Sequence, residues 1–381
     1  MRALERLQRE GIRRLGTPRT GFRYVRPDGR PVPRADTERI RALRLPPAWT
    51  DVHVSPAPGA KLQAVGRDAA GRWQYRYHRE FMKRQASAKY RRLLRFAEAL
   101  PRIRAAVDRD MRRRGLVRAR VLAAMVLVLE RCFMRPGSEA YARENRSYGL
   151  ATIRPRHVKI EGDRLVFDYR GKSGKRQVRE LGDARVVRLV KELLAVPGRD
   201  VFKFVEDGEI VDVRRRHLNA YIRAAAGAPF TAKDFRTWAG TLLCATALAG
   251  ARGEMVPGRT SSRSVATAAV KQVAQRLGNT PAVARSSYIS PAVLDGFARG
   301  KVLRCALADA EVIEAPPGAL HETERALVAF LREASPRAAP PLRALEGGGR
   351  PAPGPRRATR PTGTTAKPLR RAARGAERGE G

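Results

Sequence analysis

Cysteine is scarce. The chain has three in 381 residues, Cys132, Cys244 and Cys305. Thiols so few and so far apart exclude a disulfide framework and a paired metal site, and they fit a reducing, cytoplasmic compartment. The five histidines (His53, His78, His157, His217, His321) show no zinc spacing. No acidic cluster offers the ligands of a two-metal phosphodiesterase, so no metal is expected. Long apolar runs are missing too. The longest, Val121 to Leu129, is nine residues, about half of the roughly 20 that a membrane-spanning helix needs. Met1 to Arg14 carries no apolar segment of the secretory kind, so neither leader nor membrane partner is expected.

Nucleotide-binding loops are also absent. Gly171-Lys172-Ser173 ends like a phosphate loop, but that motif requires glycine five residues earlier, where Val166 stands. No GxGxxG follows a strand, and Gly347 to Gly349 lie in a segment unsuited to one. No cofactor is expected.

Acidic residues are the other shortage. Asp and Glu number 37 against 78 Lys and Arg, a net charge of +41. Such a charge points to a polyanion, most simply nucleic acid. Of the basic residues 66 are Arg and 12 Lys, a bias that a GC-rich genome can produce, so charge supports a nucleic-acid partner without proving it. Taken alone it also permits a basic membrane-surface protein.

The organisation is legible in outline. From Ser335 to Gly381 the chain holds eight Pro, eight Gly and no aromatic, with a net charge of +8. That composition cannot offset its ordering entropy, and a disordered basic tail over 335–381 is expected. Apolar residues are 43% of the whole, enough for a real core elsewhere. Residues 1–85 read as a small β-rich domain. Phe22–Val25 and Arg30–Val32 around Pro27-Asp-Gly29 suggest one hairpin, and Lys61–Val65 with Trp73–Tyr77 suggest another. In the last strand Trp73, Tyr75 and Tyr77 share one face. That face is either a sheet core or an aromatic surface for nucleic acid. Residues 86–334 read as mainly helical. Helices are expected over Ala88–Ala99, Leu116–Phe133, 183–195, 212–225, 231–249, 261–277 and 320–333, with Gly250 and Gly278 as stops. Three strands are expected at Ile153–Ile160, Arg164–Tyr169 and Arg176–Leu181. The fold class is therefore α+β.

Phosphodiester chemistry has a route without metal. Tyrosine gives a reversible covalent phosphoester. Arginine forks clamp phosphate oxygens and stay charged. Lysine can protonate a departing sugar oxygen. Residues for such a scheme stand in distinctive contexts: Arg135 in Cys132-Phe-Met-Arg-Pro-Gly137, Lys172 in Tyr169-Arg-Gly-Lys-Ser-Gly174, Lys233 and Arg236 in Lys233-Asp-Phe-Arg-Thr-Trp-Ala-Gly240, Asn279 in Leu277-Gly-Asn-Thr-Pro281, and Tyr288 in Ala284-Arg-Ser-Ser-Tyr-Ile289. Singly each has a dull reading, as a solvated arginine, a packing tyrosine or a turn asparagine.

In order, spacing and local words the set resembles the short bacterial and poxviral type IB DNA topoisomerases. Leu45-Pro-Pro-Ala-Trp-Thr50, Gly66-Arg-Asp68, Gln74-Tyr-Arg-Tyr-His78 and Glu144-Asn-Arg-Ser-Tyr-Gly149 add to the resemblance, which runs from about Gly21 to about Phe297. It implies a catalytic domain of the tyrosine recombinase and type IB topoisomerase kind, with a small three-stranded sheet, acting as a monomer on double-stranded DNA. It implies Tyr288 as nucleophile, Arg135 and Arg236 as phosphate clamp, Lys172 as general acid and Lys233 as a helper in proton transfer. Asn279 stands where poxviral and nuclear enzymes carry His, so it can donate a hydrogen bond but carry no charge. Gln74, Tyr75, Tyr77 and Tyr141 match positions that contact DNA. The alternatives are a tyrosine recombinase, which shares the Arg, Lys, Arg and Tyr chemistry, and a noncatalytic basic DNA-binding protein.

Overall fold

The computed structural model describes residues 3–253, 261–304 and 315–334. Cys305, Gly347 to Gly349 and the tail expected over 335–381 lie outside them. The chain opens with α1 (Ala3–Glu10), β1 (Ile12–Thr17), β2 (Gly21–Val25), α2 (Arg34–Ala42), β3 (Thr50–Val54), β4 (Leu62–Arg67) and β5 (Trp73–Tyr77). The strands form one antiparallel sheet in the order β2-β1-β3-β4-β5. Ile12, Val52, Val54 and Ala64 pack with Ile40 of α2 as a small core of their own.

The β4–β5 hairpin forms as expected, with Val65 opposite Tyr75. Its turn is held by the Asp68 carboxylate, which accepts from the backbone N–H groups of Ala70 and Arg72 at 3.0 Å each. The hairpin expected over Phe22–Val32 does not form as drawn. The turn forms, with Arg26 N–H bonded to Arg30 O at 2.8 Å and Val32 N–H to Tyr24 O at 3.4 Å around an isolated bridge of Val25 with Pro31, but the ladder of β2 runs along β1, from Arg13 opposite Val25 to Thr17 opposite Gly21. Pro31 and Pro33 lack the N–H that a ladder needs. The aromatic face is not core. Tyr75 and Tyr77 are 44% and 40% exposed on the edge strand β5, their rings 6.3 Å apart and stacked. Trp73 lies under the Arg67 guanidinium, 4.4 Å from its centroid.

The remainder is mostly helical: α3 (Arg79–Met111), α4 (Arg118–Cys132), α5 (Glu139–Asn145), β6 (Val158–Glu161), β7 (Arg164–Arg170), β8 (Arg176–Gly182), α6 (Ala184–Ala195), β9 (Lys203–Glu206), β10 (Glu209–Asp212), α7 (Arg215–Ala226), α8 (Ala232–Gly253), α9 (Ser262–Arg276), α10 (Pro281–Ser287), α11 (Pro291–Ala298) and α12 (Glu322–Ala334). Helix α3 runs through positions 85 and 86, where the sequence suggested a division. The run Val121–Leu129 is buried throughout, because α4 is enclosed by α3, α7, α8, β8 and β9. An apolar face on every side is what such a central helix requires.

Strands β6, β7 and β8 form the expected antiparallel three-stranded sheet. Residues 153–157 are not strand. A short 3₁₀ turn at Pro155–His157, opened by Pro155, takes up most of that stretch and follows another at Leu150–Thr152. Gly250 does not stop α8, which continues to Gly253. One helical glycine costs only about 1 kcal/mol, which packing readily outweighs.

A buried ionic knot fastens α12. Arg104 of α3 donates to both Glu324 carboxylate oxygens at 2.7 and 2.9 Å and to Glu130 of α4 at 2.6 Å. The Trp238 indole N–H of α8 donates to the same Glu324 at 2.9 Å.

Candidate active site

Arg135 follows the end of the central helix. The C-cap of α4 is Phe133, a non-glycine residue in the left-handed region at φ +54°. Such a backbone is strained for a bulky residue, and it turns the chain sharply towards Arg135. The Arg135 guanidinium donates to the Gly278 carbonyl at 2.9 Å and to the Asn279 side-chain oxygen. Its own carbonyl accepts from Leu150 N–H at 2.8 Å, which ties the loop to the segment before the three-stranded sheet.

Asn279 is presented by the end of α9. Gly278 at φ +61° occupies the left-handed position of a Schellman ending: its N–H bonds Gln275 O at 3.1 Å, and Asn279 N–H bonds Ala274 O at 2.8 Å. A Cβ at Gly278 would also crowd the Gln177 side-chain oxygen, which would have to move aside. With its oxygen held by Arg135, Asn279 has a buried Nδ2 with no hydrogen-bond partner.

Arg236 sits on α8, whose start is capped by Asp234 through Thr231 N–H (2.8 Å) and by Asn219 through Ala232 N–H (3.1 Å). It is 2% exposed. It donates to the Phe133 carbonyl and, at 2.8 Å, to the Leu277 carbonyl. Among the described residues neither Arg135 nor Arg236 has a carboxylate partner. Burial, with Arg135 close by, pushes the Arg236 guanidinium down to about 10, partly opposed by Tyr288. It remains a cation at neutral pH, held by neutral carbonyls.

Tyr288 closes α10, a helix started by the Thr280 cap and Pro281. Its ring lies beneath Arg236, whose Cζ is 5.0 Å from the centroid. Burial would raise the phenol, but the Arg236 cation beside it, with Arg135 and Lys233, outweighs burial and holds Tyr288 below the ordinary tyrosine value. Two residues of α8 fix its backbone. The fully buried Thr241 hydroxyl lies 3.1 Å from Tyr288 O and accepts from Ser290 N–H at 3.2 Å. Gly240 faces it so closely that a Cβ there would be 2.9 Å from both Tyr288 Cβ and Tyr288 O.

The structure thus brings Arg135, Arg236, Asn279 and Tyr288 into one cluster, with exposed Lys233 close enough to bias the phenol. Lys172 is different. It stands exposed in the β7–β8 turn, and among the described residues no hydrogen bond or ion pair holds its side chain. Gln74 is tied to Asp68 at 2.8 Å, and Tyr75, Tyr77 and the 62% exposed Tyr141 of α5 are open to solvent. Sequence reasoning missed Gly240, Thr241, Gln177 and Arg179. Gly240 and Thr241 lie one helical turn beyond Arg236 and Thr237, and Gln177, Arg179 and Leu181 follow the inward alternation of β8; those were the available signals.

Two family models match: the catalytic core of eukaryotic DNA topoisomerase I over residues 78–295, more than half the chain, and the N-terminal domain of bacterial DNA topoisomerase IB over residues 21–68. The DNA topoisomerase 1B of Acanthamoeba polyphaga mimivirus is 34% identical over 287 residues, 74% of this chain and 85% of that protein. The chain belongs to the type IB DNA topoisomerase family. Its membership in that family places it among isomerases that change DNA topology. More distant topoisomerases are those of vaccinia virus (strain Copenhagen), 22% identical over 68% of this chain and 81% of that one, and rabbit fibroma virus (strain Kasza), 24% identical over 68% and 80%. The solved structure of the XerH site-specific recombinase overlaps 50% of this chain and 48% of its own at 13% identity and a TM-score of 0.32, too slight a likeness to weigh for either reading. All six candidate catalytic residues fall within the topoisomerase core match, whereas Gln74, Tyr75 and Tyr77 fall between the two matched segments. Among the described residues no helix is long and apolar enough to cross a membrane.

Proposed function

We propose that this chain relaxes supercoiled double-stranded DNA as a monomer, by transient cleavage of one strand through a 3′-phosphotyrosyl intermediate. The Tyr288 oxygen attacks the phosphorus, a new O–P bond forms, and the bond to the 5′ oxygen breaks. Arg135 and Arg236 receive the nonbridging oxygens, and the free Nδ2 of Asn279 donates a third hydrogen bond. Preorganised donors of this kind, aimed where charge develops, supply much of the rate in phosphoryl transfer. Lys172 protonates the departing 5′ oxygen, and Lys233 assists in moving protons near the phenol. The intermediate keeps the energy of the cut bond, so the freed strand can swivel and be resealed without ATP.

The observation that carries this reading is the pair of guanidiniums with no carboxylate partner among the described residues, one of them lying over the Tyr288 ring at 5.0 Å. Such a pair beside a tyrosine supports reading the cluster as an anion-binding site around the nucleophile. The exposed Tyr75 and Tyr77 face, with Gln74 and with Tyr141 on α5, offers aromatic and polar contacts to the duplex. We read residues 1–85 as the part that grips DNA, 86–334 as the catalytic part and 335–381 as a basic tail. A cytoplasmic, nucleoid-associated location agrees with the free, buried Cys132 and Cys244. Log affinity should fall with log salt by about 0.9 per phosphate neutralised. The test is plasmid relaxation in EDTA without ATP. Wild type should relax the plasmid and Tyr288→Phe should not; a relaxing Tyr288→Phe would overturn the reading.

A further inference from the structure

Lys172 has a proposed task but, among the described residues, no hydrogen bond or ion pair that aims its side chain. The turn that carries it is closed by backbone bonds. The Gly171 N–H bonds Lys175 O at 2.8 Å and the Gly174 N–H bonds Gly171 O at 3.1 Å, so the turn is a closed unit. Ser173 and Gly174 both take positive φ, +61° and +74°. The position of Lys172 therefore depends on how the β7–β8 hairpin as a whole is seated.

Two of its attachments bear on the site. On the β7 side, Arg170 O accepts from Tyr148 N–H at 2.8 Å, in the segment that also bonds the Arg135 carbonyl through Leu150. On the β8 side, the Arg179 guanidinium spans three oxygens. It donates to Val178 O at 2.7 Å, to the Gln177 side-chain oxygen at 2.8 Å and to Arg276 O, at the end of α9, at 2.8 Å. Gln177 is itself buried against the site frame. A Cβ on Gly278 would strike its amide oxygen, and a Cβ on Gly171, next to Lys172, would stand 2.8 Å from its Cγ. One side chain thus touches both the residue beside Asn279 and the residue beside Lys172, and Arg179 locks it there.

We infer that Arg179, acting through Gln177, is a positioning residue that sets the Lys172 hairpin in register with the Asn279 end of α9, so that the lysine meets the 5′ oxygen. The inference rests on the role proposed above for Lys172. Arg179 touches no reacting atom. Its forked donors are suited to the task, because the planar guanidinium bonds several acceptors in fixed directions and an ammonium does not.

The test uses full-length protein in single-turnover cleavage of two duplexes, one with the normal 5′ bridging oxygen and one with sulfur at that position. Sulfur leaves as a thiolate and needs no acid. On the normal duplex Lys172→Ala should slow cleavage by about 10²- to 10⁴-fold, the usual worth of a general acid. Arg179→Ala and the milder Gln177→Ala should each slow it about tenfold or more, as expected when an acid is misplaced by a fraction of an ångström. On the sulfur duplex all three should return to within about twofold of wild type, because the step that needs the acid is gone. If Lys172→Ala is rescued while both hairpin variants stay slow on sulfur, the positioning inference is wrong and the two residues merely hold the fold. If the hairpin variants cleave the normal duplex at the wild-type rate, it is equally wrong. If Lys172→Ala itself is not rescued, the general-acid assignment fails and takes this inference with it.

Discussion

Gly240→Ala isolates the contact that holds the nucleophile. The added Cβ would meet Tyr288 Cβ and Tyr288 O at 2.9 Å and Leu277 Cδ1 at 3.1 Å, while ordinary contacts begin near 3.4 Å. Two of these neighbours cannot swing aside: one is a backbone carbonyl and one a Cβ. The carbonyl is also within reach of Thr241, on the next residue of the same helix. Relief therefore requires α10 and α8 to part by about half an ångström at Tyr288. Inserting one methyl into such a place costs about 1–3 kcal/mol of stability. Because a displacement of 1 Å can cost on the order of 100-fold in rate, a shift half that size should slow cleavage about tenfold. Thermal unfolding, DNA binding under non-cleaving conditions and single-turnover cleavage would be measured together. The expected result is a lowered melting temperature, unchanged affinity and slowed cleavage. Wild-type cleavage with wild-type stability would refute the argument that α8 sets the position of Tyr288.

Further expectations concern charge. Arg135→Ala and Arg236→Ala should each lose several orders of magnitude in cleavage rate yet keep much of their DNA binding; equal losses in gel-shift and cleavage assays would deny them the clamp role. Lys233→Met removes one of the cations that hold the Tyr288 phenol down. The rising, phenol-dependent limb of the cleavage rate against pH should then move to higher pH, and an unmoved limb would show that Lys233 does not influence the nucleophile. Glu324→Ala leaves the buried Arg104 without its bidentate partner. Stripping one side of a buried ion pair costs about 3–5 kcal/mol, so urea unfolding should show a large loss; a change under about 1 kcal/mol would mean that Glu130 alone satisfies Arg104.

How much of this was legible in the sequence depended on the range of the interaction. The β4–β5 and β6–β8 hairpins and α4 follow from short-range patterns, a turn between alternating strands or an unbroken apolar run, and they form close to where expected, although the first strand of the three begins only at Val158. The pairing of β1 with β2 did not, because Pro27-Asp-Gly29 gave a stronger turn signal than Thr17 to Gly21. The aromatic alternation in β5 was clear, but alternation marks a shared face without saying which way it points. It is the exposure of Tyr75 and Tyr77 in the folded sheet that shows this face meeting solvent. At the site, Arg135, Arg236, Asn279 and Tyr288 were found from the words around them. Their supports were not. The bond from Arg179 to Arg276 O joins residues 97 positions apart, and that from Thr241 to Tyr288 O joins residues 47 apart. Nothing local in a strand arginine or a helix threonine announces such a partner.

The central claim is that a phenolic oxygen becomes joined to DNA, and the most direct measurement is the identity of the adduct. Protein and a nicked suicide duplex would be mixed in EDTA, quenched in denaturant, digested with protease and sequenced by mass spectrometry. The account predicts a nucleotide linked through its 3′ phosphate to the peptide containing Tyr288, and no adduct with Tyr288→Phe. An adduct on any other residue, or plasmid relaxation with no adduct at all, would contradict it.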